Sequence, residues 1–178
     1  MGVAAIKEQL PDFAKDIRLN LTTVTTAEGC PGLSLAQVLG CALACAWASK
    51  SKTLAKELLD EAEGKVSPEA IEAARAAASI MAMNNVYYRF VHLVEDPDYG
   101  TLRANLRMQV IARPGIEKVD FELYSMAVSA INGCGMCMKS HAKTLVDSGL
   151  TKEAVQSAVR IASVVNAAAQ ALSIAEGA

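Results

Sequence analysis

Apolar residues recur at intervals of three and four along most of the chain, and the residues that interrupt this rhythm divide it into helices. Ile6 and Leu10, then Phe13, Ile17 and Leu21, predict two short opening helices, with Pro11 starting the second. Glu28-Gly29-Cys30-Pro31-Gly32 is the first breaker cluster, and Ser34 is the expected N-cap of an Ala- and Cys-rich helix reaching about Ser49. Ser51 restarts the pattern for a helix through Leu54, Leu58 and Leu59 that ends near Gly64. Ser67-Pro68-Glu69-Ala70 reads as an N-cap, a proline at the first helical position and an acidic first turn. That helix runs through Ile80, Met83 and Tyr87 towards Leu93, where Asp96-Pro97-Asp98-Tyr99-Gly100 stops it. A shorter segment around Leu106 to Ile111 follows, then a turn at Pro114-Gly115 and a helix from Lys118 to about Ala130. Asn132-Gly133 breaks that helix, and the next opens near Cys134 and runs to about Asp147. Ser148-Gly149 is a stop, and Thr151 with Glu153 opens the last helix. Its residues Val155, Val159, Ala162, Val165, Ala169 and Leu172 are small and apolar, which predicts burial on several sides, in the core or between subunits.

Hydrophobic residues make up 52% of the chain but aromatics only 4%, and the excess is alanine, so closely packed helices are expected and sheets are not. The fold class is all-α, and 178 residues suffice for a single compact domain spanning 1–178. A net charge of -2 gives no reason to expect nucleic acid as a partner. Lys7, Glu8 and Gln9 interrupt the N-terminal turns where a signal peptide would be apolar, so a cytoplasmic location is expected. Charged residues punctuate even the Ala-rich segments, so no membrane span is expected. A weak internal echo links Ala82-Met83-Asn84-Asn85 with Ala130-Ile131-Asn132-Gly133; as a duplication it would put Val86 and Arg89 in the places of Cys134 and Cys137.

Five cysteines is an odd number, which argues against a structural disulfide framework and asks for local explanations. Cys134 and Cys137 form a C-x-x-C at the expected start of a helix, where unpaired N–H groups and the helix dipole favour a thiolate and the spacing lets the sulfurs join. His141 lies four residues after Cys137 and seven after Cys134, on roughly the same helical face, so a base is within reach of the dithiol. A carboxylate on the other ring nitrogen would fix the tautomer. Glu122 on the preceding helix is the first candidate, with Asp120 and Glu117 as competitors. Zinc would need four ligands and the chain offers no second C-x-x-C, while a purely structural bridge would close too short a loop to stabilise much. Cys41 and Cys45 suit core packing, and Cys30 reads as an incidental, exposed loop thiol. His92 is expected to make a structural hydrogen bond, and Met136 and Met138 to line the thiols.

The chain resembles the alkylhydroperoxidase D family within the larger carboxymuconolactone decarboxylase-like group. Over nearly its whole length the resemblance is carried by Leu10-Pro11-Asp12-Phe13-Ala14-Lys15-Asp16-Ile17, by Met83-Asn84-Asn85-Val86-Tyr87-Tyr88-Arg89, by Arg107-Met108 with Pro114-Gly115, and by Phe121-Glu122-Leu123 with Ala127-Val128-Ser129-Ala130-Ile131-Asn132-Gly133-Cys134 through Cys137 and His141. It implies an all-helical protomer, usually a homotrimer, that reduces alkyl hydroperoxides. By this resemblance Cys137 attacks peroxide, Cys134 resolves the sulfenic acid as a disulfide, and Glu122 with His141 relays the proton. No tightly bound cofactor or metal is implied. The reductant would be dihydrolipoamide on a lipoyl-bearing dihydrolipoamide acyltransferase, with lipoamide dehydrogenase and NADH closing the cycle and a peroxiredoxin as a further partner. Well-studied members carry a second histidine immediately before the attacking cysteine, and here that place is Met136, which points to weaker peroxidase activity or to dominant thiol-disulfide exchange. The rival expectations are a thiol-disulfide carrier or redox-sensing adaptor, and a carboxymuconolactone decarboxylase-like enzyme that needs no dithiol.

Overall fold

Four helices begin where a short hydroxyl side chain meets an unpaired amide. Ser34, Ser51, Ser67 and Thr151 each accept a hydrogen bond from the backbone N–H three residues on, and Gln37 returns the bond to Ser34 in a full capping box. The computed structural model describes residues 1–177 and contains only helices as regular structure among them. These are α1 (Val3–Gln9), α2 (Lys15–Val24) after a 3-10 turn at Asp12–Ala14, α3 (Leu35–Ala48), α4 (Lys52–Ala62), α5 (Pro68–Leu93), α6 (Pro97–Thr101), α7 (Gln109–Ala112), α8 (Lys118–Ile131), α9 (Gly135–Asp147) and α10 (Lys152–Glu176).

The helix order repeats. Helices of 14, 11 and 26 residues (α3 to α5) are followed by helices of 14, 13 and 25 (α8 to α10). The packing repeats with them: α3 lies against α4, α5 and α10, and α8 lies against α9, α10 and α5. The duplication is therefore real in architecture but not in the register of the short sequence echo. Residues 82–85 lie inside the unbroken α5, whereas 130–133 end α8 and turn the chain. Matching the starts of α3 with α8 and of α4 with α9 puts Ser51 and Leu54, rather than Val86 and Arg89, in the places of Cys134 and Cys137. Leu39 and Leu58 then correspond to Glu122 and His141, and Leu39, Leu54 and Leu58 are fully buried in the core.

One core joins both copies. Leu39, Leu43, Met81, Phe121, Leu123 and Tyr124 are among its largest buried side chains. Small residues let the helices close in: a Cβ on Gly40 would stand 2.2 Å from the Tyr124 hydroxyl, so only glycine admits the ring there. Among the described residues α10 is long and apolar enough to cross a bilayer by length and composition alone; here it packs against α2, α3, α8 and α9. Three expectations are corrected. Phe13 is exposed, because the first turn after Pro11 is a 3-10 turn that rotates it outward. Cys30 is fully buried with its thiol donating to the Val24 carbonyl, because its loop is drawn under α10 by Ser157 on Pro31 and Arg160 on Gly29. His92 is exposed in the last turn of α5 and makes no hydrogen bond among the described residues, because that turn faces outward.

Candidate active site

The site assembles where α9 leans on α5, a contact that α4 does not reproduce to the same extent with α10. Asn132 and Gly133 end α8, with Gly133 at φ 67°, and Cys134 is the N-cap of α9. Cys134 and Cys137 are joined as a disulfide, their Cα atoms 5.2 Å apart as such a bridge requires. The Cys137 N–H points at the Cys134 sulfur at 3.3 Å, so the helix start directs its free donor to the first thiol of the pair. Cys134 is fully buried and Cys137 is 7% exposed; Cys137 alone of the two faces the adjoining cavity.

That cavity, about 390 Å³, is shared by Cys137, His141, Glu122 and Asn84. Its apolar wall includes Met81, Met108, Ile111 and Met136. His141 Nδ1 lies 2.6 Å from Glu122 Oε2 in a largely buried pair. A carboxylate only accepts hydrogen bonds, so the ring nitrogen donates and Nε2 is left as the free acceptor of a neutral imidazole. Of the three carboxylates the sequence offered, Glu122 is the partner; Asp120 is bonded by the Gln37 amide, and Glu117 stands at the N-cap position of α8, without a side-chain cap bond.

The turn that presents Cys134 is braced from α5. Asn85 donates to Ser129 Oγ and accepts from Asn132 Nδ2, both at 2.9 Å, and Arg89 donates to the Asn132 carbonyl at 2.6 Å. Sequence reasoning used this stretch only as half of a weak internal echo and as a mark of resemblance, although two adjacent amides among apolar residues were a signal of buried polar bonding. A larger cleft of about 760 Å³ near Trp47, Arg75 and Arg89 holds no cysteine, and Arg75 there already stacks on Trp47 and pairs with Glu72. Cys41 and Cys45 are buried in α3, where desolvation pushes both thiols well up, as core packing predicts.

Comparison with known proteins covers both halves of the molecule. Residues 97–177, from α6 to α10, match the model of the carboxymuconolactone decarboxylase family. The chain is 54% identical over 164 residues to the alkyl hydroperoxide reductase AhpD of Coxiella burnetii (strain RSA 493 / Nine Mile phase I), covering 92% of this chain and 93% of that protein. It is 52% identical over 176 residues to the protein of the same description from Brucella melitensis biotype 1, covering 99% of each.

Proposed function

The chain belongs to the alkyl hydroperoxide reductase AhpD family, and from that premise we propose that it reduces organic hydroperoxides at Cys137 and is returned to the dithiol by protein-bound dihydrolipoamide. The observation that supports this most is the arrangement of one cavity, in which Cys137 faces the lumen beside the His141–Glu122 pair while Cys134 stands behind it.

The chemistry follows from these positions. His141 Nε2 accepts the Cys137 thiol proton, directly or through a water, while Glu122 fixes the ring. The thiolate attacks the terminal oxygen of the hydroperoxide, the O–O bond breaks, and the alcohol leaves with the returned proton, so the sulfur gains oxygen as a sulfenic acid. Cys134, favoured as a thiolate by the N–H aimed at it, then attacks that sulfur and water departs, closing the disulfide. Dihydrolipoamide reopens the bridge through a mixed disulfide and leaves as lipoamide, which lipoamide dehydrogenase and NADH reduce again. The resident chemistry asks for no metal and no tightly bound cofactor.

Met136 supports a second reading, a thiol-disulfide carrier that keeps a separate peroxiredoxin reduced, because it offers no proton beside Cys137. We further assign the chain to the reducing cytoplasm and to a homotrimer, the latter supported by exposed apolar Val86, Phe90, Leu93 and Leu102 running from α5 into α6 and its exit.

The test is NADH oxidation at 340 nm with lipoamide, lipoamide dehydrogenase and an organic hydroperoxide. Peroxide-dependent turnover that disappears in both Cys134→Ser and Cys137→Ser is expected. Peroxide-dependent turnover that survives loss of both cysteines would overturn the dithiol mechanism. No turnover, with the disulfide still readily reduced by dihydrolipoamide, would favour the carrier.

A further inference from the structure

Of the polar groups in the cavity that this chemistry does not use, Asn84 is buried, Tyr88 is half-buried, and Ser140 and Thr144 are exposed. Asn84 follows Met81 by three residues on α5 and precedes Tyr88 by four, so the three line the cavity from one helical face. It is 5% exposed, and its Oδ1 is shielded from solvent without a hydrogen-bond partner among the described residues. A half-turn about χ2 decides whether that unmet end of the amide is C=O or NH2. Its neighbour Asn85 is the opposite case, with both ends engaged by Ser129 and Asn132. A buried amide left unmet by protein beside a reactive sulfur is a group awaiting a ligand.

We propose that Asn84 binds the hydroperoxide, donating its amide N–H to the oxygen that leaves when the O–O bond breaks. The inference rests on the peroxidase reading above. As Cys137 sulfur forms its bond to the terminal oxygen, the O–O electrons pass to the alkyl-bearing oxygen, which becomes an alkoxide before it takes the proton that His141 received from Cys137. The sulfur is oxidised to a sulfenic acid and the hydroperoxide is reduced to an alcohol. A neutral amide stabilises that developing charge without any change of protonation. Met81, Met108 and Ile111 supply the apolar wall for the alkyl group.

Stopped-flow oxidation of the reduced full chain tests the assignment, with tert-butyl hydroperoxide and peracetic acid compared. The first expels a strongly basic alkoxide and the second a weakly basic acetate, so only the first depends heavily on a donor at the leaving oxygen. Asn84→Ala is expected to slow the reaction with tert-butyl hydroperoxide by about 100-fold and to leave that with peracetic acid within several-fold. Reduction of its disulfide by dihydrolipoamide should match the wild type, which a merely structural defect would not allow. Asn84→Leu, nearly the same shape with the donor removed and no charge added, should show the same selectivity without a void. Equal losses with both oxidants, or an unchanged rate with tert-butyl hydroperoxide, would overturn the role. A wild type that reduces neither oxidant would overturn the peroxidase reading and this one with it, whereas activity untouched by Asn84→Ala overturns this one alone.

Discussion

Cys134 and Cys137 occupy one turn of α9 but meet different surroundings, and their reactivity should divide accordingly. After reduction of the native protein, iodoacetamide followed by mass spectrometry is expected to label Cys137 first and Cys134 more slowly. Cys30, Cys41 and Cys45 should stay unlabelled until denaturant is added, because burial both shields those thiols and pushes them up. In the proposed mechanism Glu122 acts at one remove, through the His141 ring it holds. Glu122→Gln keeps the packing but weakens that hold, and the rate of Cys137 oxidation by hydroperoxide should fall by about 100-fold while Cys137→Ser abolishes it. The dithiol and His141 were legible from spacing alone, since helical register is local information. The choice among Glu122, Asp120 and Glu117 was not, because it depends on how α8 lies against α9. Cys30 was misread for a related reason: its burial is imposed by Ser157 and Arg160 from the far end of the chain.

At the scale of elements, contacts between helices set the costs. Gly40→Ala pushes a methyl into the Tyr124 ring, and the variant should lose about 1–3 kcal/mol in urea denaturation. The opening helix is held differently. Glu57 accepts from the Gly2 N–H and Glu61 from the Val3 N–H, so α4 carboxylates satisfy the free amides that begin α1. The Lys65 ammonium and the Val3 N–H hold the Glu61 carboxyl below the usual carboxylate range. A carboxyl lowered in the folded state contributes stability that is present above its unfolded value and is lost as pH falls through its folded one. Protection of the α1 amides against hydrogen exchange, relative to their intrinsic rates, is therefore expected to fall at acid pH before that of the α3 amides, and Glu61→Gln should remove that difference. Helix starts such as Ser34, Ser51, Ser67 and Thr151 were readable because a cap is a contact within four residues. Phe13 was not, since only the tighter turn after Pro11 rotates it away from the core.

At the scale of the whole molecule, Val86, Leu93 and Leu102 leave apolar surface open on α5 and beyond, and Phe90, although edge-on to the Tyr99 ring, is still 46% exposed. On the homotrimer proposed above, Phe90→Glu is expected to shift sedimentation from trimer towards the single chain, leaving helicity unchanged. The repeat of three helices was hidden from sequence reading because its two copies share packing and helix length rather than residues, and the short echo at 82–85 pointed to the wrong register. Its correct register exposes a trade between durability and work. Where one copy has Leu39 and Leu58, fully buried, the other has Glu122 and His141, a hydrogen-bonded polar pair at the edge of an opening. Partly buried polar pairs are often matched or exceeded in stability by apolar residues of similar size. A chain carrying Glu122→Leu and His141→Leu is therefore expected to melt no lower than the wild type and to be nearly inert towards hydroperoxide. The leucine-bearing half is, in that sense, a standing example of what the working half would become if selection asked only that it endure.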